Sequence, residues 1–179
     1  MSPKKSSGFG SYPIRYLALG LLMRGPSHGY QLDQDLEEDF ELIWKAGQTK
    51  LYVTLSSLEE EGLLASELEP QENRPDRKVY RLTDAGRQSF LDWVSSPVPS
   101  LRAARVELIA KLGFYDLLDL PGAGELITAQ LDVLKSMTSE WEEDQAAEED
   151  QFLHEVYEFR IRQARFIIDW LEDYRGKLA

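Results

Sequence analysis

The run Gln48-Thr49-Lys50-Leu51-Tyr52-Val53-Thr54-Leu55-Ser56-Ser57-Leu58-Glu59-Glu60-Glu61-Gly62 reads as one helix with two unlike faces. Leu51, Leu55 and Leu58 recur at helical spacing and form an inner stripe. Gly62 suits the left-handed position that follows a helix end. Thr49, Lys50, Tyr52, Val53, Ser56 and Ser57 fall outward or on the flanks. That outer face is short, polar and nearly free of acid until Glu59, a shape that can enter a groove.

The flanking sequence gives this helix its setting. Downstream, Leu64 to Glu69 alternates like a strand, Pro70 to Asp76 is a turn region, and Lys78 to Leu82 carries the β-formers Val79 and Tyr80. The span from Asn73 to Leu82 holds four cations and one anion, so the hairpin has a basic tip. Thr83 is placed to cap a fourth helix with Phe90, Leu91 and Val94 on one face. Upstream, Ile14 to Met23 reads as a short buried helix ending at Gly25-Pro26. Ser27 is the expected N-cap of the next helix, whose stripe is Leu32, Leu36 and Phe40. His28 is expected to be a structural first-turn residue, and Tyr16 and Tyr30 to lie in the core. Helix, helix, outward polar helix and basic β-wing make a winged helix-turn-helix, which reads base edges with its third helix. Thr49, Lys50, Tyr52 and Ser56 would face the groove. Arg74, Arg77 and Lys78 would hold phosphates from the wing, with Arg81 nearby.

Composition sets limits on this reading. The 179 residues carry no cysteine, which excludes disulfides, thiolate metal sites and cysteine nucleophiles. Only His28 and His154 could act as neutral imidazole ligands or bases. His154 has no second histidine at i+4, so no metal site is expected, and Glu140 to Asp150 lacks the ligand alternation of a calcium loop. The two-glycine fragments Gly8-Phe9-Gly10 and Gly122-Ala123-Gly124 lack the context of a dinucleotide loop, and there is no P-loop or nucleophile elbow. No enzyme activity and no cofactor are expected. No stretch is apolar enough for a membrane span and no signal peptide is read, so the expected location is cytoplasmic and nucleoid-associated. The net charge of −12 weighs against nucleic acid globally. Screening over about 8–10 Å lets a small basic wing act locally all the same.

Ser95-Ser96-Pro97-Val98-Pro99-Ser100 divides the chain. Before it lies the winged-helix domain, 12–95. After it the sequence predicts an α-helical domain, 101–176, so the fold class is mainly α. Leu101, Leu108, Leu112 and Tyr115 mark its first helix; Ile127, Leu131, Leu134, Met137 and Trp141 mark the second. In the third, Phe152, Val156, Phe159, Gln163, Phe166 and Trp170 form a coiled-coil-like seam. Leu153, Ile161, Ile167, Ile168 and Leu171 make the helix apolar on more than one face, as expected if it packs once within the chain and once on a partner.

The residues resemble a known family, the PadR-type transcriptional regulators. The resemblance is carried by Leu19-Gly20-Leu21-Leu22 with Gly25-Pro26-Ser27-His28-Gly29-Tyr30, by Tyr52, Leu55 and Leu58-Glu59-Glu60-Glu61-Gly62-Leu63, and by Arg74-Pro75 with Arg77-Lys78-Val79-Tyr80-Arg81-Leu82-Thr83-Asp84-Ala85-Gly86. These strings cover roughly residues 14–95 in the family's order. Members often have proline where Val53 stands and basic residues near Ser56-Ser57, so here the phosphate load shifts to the wing. The resemblance implies a homodimeric repressor that binds a palindromic operator in double-stranded DNA, with a helical C-terminal dimerisation domain. It also allows release by a small aromatic effector, for which Tyr115, His154 and Tyr157 are candidates. The alternative is a dimeric winged-helix module that binds a protein partner and no DNA.

Overall fold

The structure, a computed structural model, describes residues 14–43, 48–70 and 76–178. The expected start of the first domain at residue 12 lies outside them. The chain divides between Trp93 and Val94 into two compact units.

The first unit contains α1 (Ile14–Leu22), β1 (Ser27–His28), α2 (Gly29–Phe40), α3 (Gln48–Glu60), β2 (Leu64–Glu69), β3 (Arg77–Leu82) and most of α4 (Asp84–Ser95). α1 is buried at all positions but Arg15 and Tyr16, because it is the central rod on which the other helices pack. Tyr16 stacks on Trp93 with ring centroids 4.8 Å apart. Leu32, Leu36 and Phe40 of α2 are buried, as are Leu51, Leu55 and Leu58 of α3. The apolar stripes therefore face the core as their spacing predicts.

Gly62 ends α3 with φ +74°. Its N–H donates to the Glu59 carbonyl, and the Leu63 N–H donates to the Leu58 carbonyl. Those paired bonds satisfy two orphan carbonyls of the last turn and turn the chain straight into β2. β2 and β3 pair antiparallel from Leu64↔Leu82 to Glu69↔Arg77. Thr83 then caps α4, its hydroxyl accepting from the Gly86 N–H at 3.1 Å.

Two expectations are corrected here. Ser27 does not cap α2: with His28 it forms β1, which pairs with β3 through Ser27↔Tyr80 and His28↔Val79. The cap is His28, whose Nδ1 accepts from the Gln31 N–H at 3.0 Å. Among the described residues the sheet thus has three strands in the order β1-β3-β2, and the hairpin is anchored to the start of α2. Tyr30 is not core but 56% exposed.

The second unit contains α5 (Leu101–Ala103), a π-helical turn (Ala104–Leu108), α6 (Ile109–Leu117), α7 (Ala123–Ala147) and α8 (Gln151–Lys177). α7 and α8 form an antiparallel hairpin, laced by Lys135–Glu172 and Arg165–Glu142 ion pairs, both 2.8 Å. Ile161, Ala164 and Leu171 bury the inner side of α8. Phe152, Val156, Phe159, Phe166 and Trp170 stay exposed. Phe159 and Ile161 are two residues apart, about 200° around a helix, so the seam lies opposite the face that packs within the chain.

The Pro/Ser segment before α5 is held by this second unit. Gln130, fully buried, accepts from the Val98 N–H at 2.6 Å and donates to the Val98 carbonyl at 3.0 Å. Lys111, also buried, donates to the Ser96 carbonyl at 2.6 Å and pairs with Glu107 at 3.2 Å. Burial pushes the Lys111 ammonium below the usual lysine range, and Glu107 partly offsets that.

Candidate nucleic-acid interface

The outer face of α3 carries Lys50, Tyr52, Val53, Ser56 and Ser57, all exposed. It is the reverse side of the Leu51, Leu55, Leu58 stripe, so the burial of those leucines sets the orientation of the polar face. The backbone of Thr49 lies in the first turn of α3, while its side chain lies outside the described residues. Arg74 also lies outside them. Ser56 adds a small hydroxyl to the middle of the face and leaves room for close approach.

Beside α3, the start of α2 and strand β3 enclose a cleft of about 400 Å³ lined by His28, Gly29, Tyr30, Tyr52, Arg77, Lys78 and Tyr80. Three predicted site residues, Tyr52, Arg77 and Lys78, therefore converge on one place. Gly29 permits that convergence: a Cβ there would lie 2.5 Å from Cε1 of Tyr52, so only glycine lets the ring pack this close to α2. Tyr30 was missed as a surface residue by the sequence reading. Its hydroxyl oxygen accepts from the Gln34 amide at 3.2 Å, and the O–H remains a hydrogen-bond donor. A signal for it was available, since Tyr30 sits off the Leu32, Leu36, Phe40 stripe.

Electrostatics decide whether an anion can approach. The run Glu59-Glu60-Glu61 closes α3, yet two of its carboxylates are occupied by the protein's own cations. Glu59 accepts from Lys78 Nζ at 2.6 Å and from the Ser66 hydroxyl at 2.5 Å. Glu61 accepts from Arg15 at 2.7 Å and from the Ser57 hydroxyl at 3.1 Å. The hydrogen bonds from Lys78 and Ser66 hold the Glu59 carboxyl below its usual range, and those from Arg15 and Ser57 do so for Glu61. Lys78 is correspondingly raised by Glu59. Arg81 is paired with Glu67 on the neighbouring strand. Lys78 and Arg81 thus each have an acidic partner within the domain.

The three effector candidates do not share one place. Tyr115 is buried beside Gly122, its hydroxyl 3.7 Å from where a Cβ on that residue would lie, at the start of α7. Burial pushes its phenol up, and nearby Glu125 adds to the rise. Tyr157 packs with Trp141, Ile161 and Ala164 near the other end of α7. Sixteen residues of helix separate Glu125 from Trp141, about 24 Å at 1.5 Å per residue. His154 lies near Tyr157, its backbone carbonyl accepting from Gln145. Among the described residues no group of three or more His, Asp or Glu is arranged to hold a metal ion.

Comparison with known proteins bears on this domain directly. Residues 18–92 match the Transcriptional regulator PadR-like family. The negative transcriptional regulator PadR of Bacillus subtilis (strain 168) is 30% identical over 118 residues, covering 66% of this chain and 65% of that protein. A probable transcriptional regulator of Mycobacterium tuberculosis is 27% identical over 165 residues, covering 82% of this chain and 87% of its own. A crystal structure of Bacillus subtilis PadR in complex with operator DNA aligns over 94% of this chain and 99% of that one, at 24% identity and a TM-score of 0.49. The sequence matches carry the assignment of that stretch: residues 18–92 form a domain of the PadR-like family of transcriptional regulators.

Proposed function

We propose that the protein is a dimeric, sequence-specific DNA-binding repressor that occludes a promoter. The observation that carries this is the acid-poor outer face of α3 set beside the β2–β3 wing, within a domain of PadR-like type. Thr49, Lys50, Tyr52 and Ser56 would meet base edges in the major groove, and Arg74 and Arg77 would grip phosphates from the wing. The exposed α8 seam supports the dimer. Phe152, Phe159 and Phe166 repeat at seven-residue spacing, and polar Gln163 within the seam would fix its register. Two-fold symmetry would place two α3 helices about 34 Å apart, so the operator should be roughly palindromic. Such a protein works where the DNA is, in the cytoplasm and nucleoid.

The first test is selection from a random duplex library at about 0.15 M salt with the purified protein. Recovery of a palindromic site supports the reading. No enrichment, with binding insensitive to salt, would favour the protein-interaction module instead. The site residues divide by role. Arg77→Ala should weaken binding on all sequences and lower the slope of log K against log salt by about one. Tyr52→Ala should cost about 1–3 kcal/mol on the selected site and much less on random DNA. Gly29→Ala should reproduce the Tyr52→Ala pattern with little change in thermal stability, because the added methyl displaces that ring. Equal losses on selected and random duplex for all three variants would defeat this division.

A small aromatic acid is the proposed releasing ligand, and it must bind the free form better than the DNA-bound form. Tyr157 beside Trp141, with the Arg160 guanidinium 4.1 Å from the Trp141 ring, supports a place for a ring and a carboxylate. Quenching of tryptophan fluorescence by such acids, lost in Tyr157→Ala, is the expected result. Quenching lost instead in Tyr115→Ala would put the ligand at the start of α7.

A further inference from the structure

Among the described residues, Glu59 is the carboxylate of α3 that hydrogen-bonds to the wing, and it does so on both strands. It accepts from Ser66 on β2 and from Lys78 on β3. The register explains how one group can do this. Ser66 pairs with Tyr80, and Lys78 lies two residues before Tyr80 on the same face of β3, so Ser66 and Lys78 are diagonal neighbours. Tyr80 between them is buried, and the Lys78 ammonium sits 5.2 Å from its ring centroid. Lys78 is thus held by two groups of its own molecule, the Glu59 carboxylate and the Tyr80 ring. Among the described residues, β2 is moreover an edge strand, bonded within the sheet to β3 alone.

We propose that Glu59, Ser66 and Lys78 form a positioning bridge that fixes the wing against the recognition helix, and that Lys78 serves DNA binding through this bridge and makes no phosphate contact. This rests on the DNA-binding reading of the same surface. A helix in the major groove and a wing on the adjoining backbone must engage together, so their separation has to be set before DNA arrives. A lone lysine on a mobile wing would bring charge without register. Lys78 is a positioning residue in this scheme, and Arg77 next to it remains the phosphate ligand.

The experiment uses the full chain in two measurements. Hydrogen exchange without DNA comes first, on wild type, Glu59→Gln, Lys78→Met and Lys78→Arg. Amides of residues 64–69 and 77–82 should exchange faster in Glu59→Gln and Lys78→Met than in wild type, and Lys78→Arg should keep the wild-type protection. Unchanged exchange in Glu59→Gln and Lys78→Met overturns the bridge, whatever the protein does with DNA. The second measurement is the salt dependence of binding to the duplex recovered by selection, or to a 30-base-pair random duplex if none is recovered. Lys78→Met should weaken binding about three- to tenfold, as for a partly exposed charge-assisted pair, with the wild-type salt slope. Glu59→Gln should do the same. A slope lowered by about 0.9 in Lys78→Met, or tighter binding with a steeper slope in Glu59→Gln, would make Lys78 a phosphate ligand held back by Glu59 and overturn the proposal. Failure of wild type to bind any duplex would sink the DNA-binding reading, and the exchange result would still decide the bridge.

Discussion

Replacing Phe159 and Phe166 together by aspartate should turn the protein into a folded monomer that no longer holds a two-site duplex. Within the chain these rings are 62% and 72% exposed, so their removal takes little from the unit's own core. The inner side of α8, through Ile161, Ala164 and Leu171, packs on the opposite side of the helix and is left intact. Full burial of a phenylalanine side chain contributes about 1.5–3 kcal/mol, and two-fold symmetry would count each replacement twice. Even after the losses that accompany association, dimerisation should weaken by about a thousandfold or more. Light scattering after size exclusion should read twice the 20.5 kDa chain for wild type and the chain mass for the variant. Affinity for the selected duplex should fall by about a hundredfold, since one half-site must then bind without its neighbour. A variant that stays dimeric would place the dimer contact elsewhere. A variant that stays monomeric yet keeps full affinity would remove the need for two-fold binding.

How much of this was readable in advance follows from what each feature depends on. The stripes Leu32-Leu36-Phe40 and Leu51-Leu55-Leu58 were legible because helical burial leaves a period in the local sequence, and their orientation decides which face of α3 is outward. The end of α3 at Gly62 was legible because a positive φ favours one residue type. β1 was not. Two residues leave no period, and Ser27-His28 becomes a strand only because β3 arrives alongside from fifty residues later. Once that pairing pins Ser27, the capping duty passes to His28. The partners of Lys78 and Arg81 were hidden for the same reason, since they depend on strand register and on helix α3. Buried Lys111 and Gln130 broke the pattern in the other direction. Each reads as a surface residue, yet each satisfies backbone groups of the Ser96–Val98 segment inside the second unit. In the candidate site, residue types on α3 were readable one by one, while the cleft that gathers Tyr30, Tyr52 and Arg77 was a product of packing at Gly29.

Gly86→Ala should be the most damaging small substitution in the first unit, against its helix propensity. Gly86 is the third residue of α4, where alanine would by itself favour the helix by about 1 kcal/mol. Its Cβ, however, would lie 2.0 Å from the Leu63 carbonyl oxygen and 3.1 Å from Cδ2 of Leu82. The nearer obstacle is backbone and cannot swing aside. That carbonyl already accepts from the Thr83 N–H and the Thr83 hydroxyl, both at 3.1 Å, while the same hydroxyl caps α4 at Gly86. Moving Leu63 breaks the cap, and moving α4 breaks the bonds to Leu63. Overpacking against such a knot should cost about 2–4 kcal/mol net, a fall in melting temperature of about 5–15 °C for a chain of this length. Gly124→Ala is the control. It lies in the first turn of α7 with nothing within 4 Å of its Cβ, so it should hold or slightly raise the melting temperature. Equal melting of the two variants would mean that α4 can slide away from Leu63 at no cost. The consequence reaches the interface, because Leu63 joins the end of α3 to the first residue of β2. A shift there changes the wing and the recognition helix together, so Gly86→Ala should lose DNA affinity at temperatures where it is still folded, while Gly124→Ala keeps it.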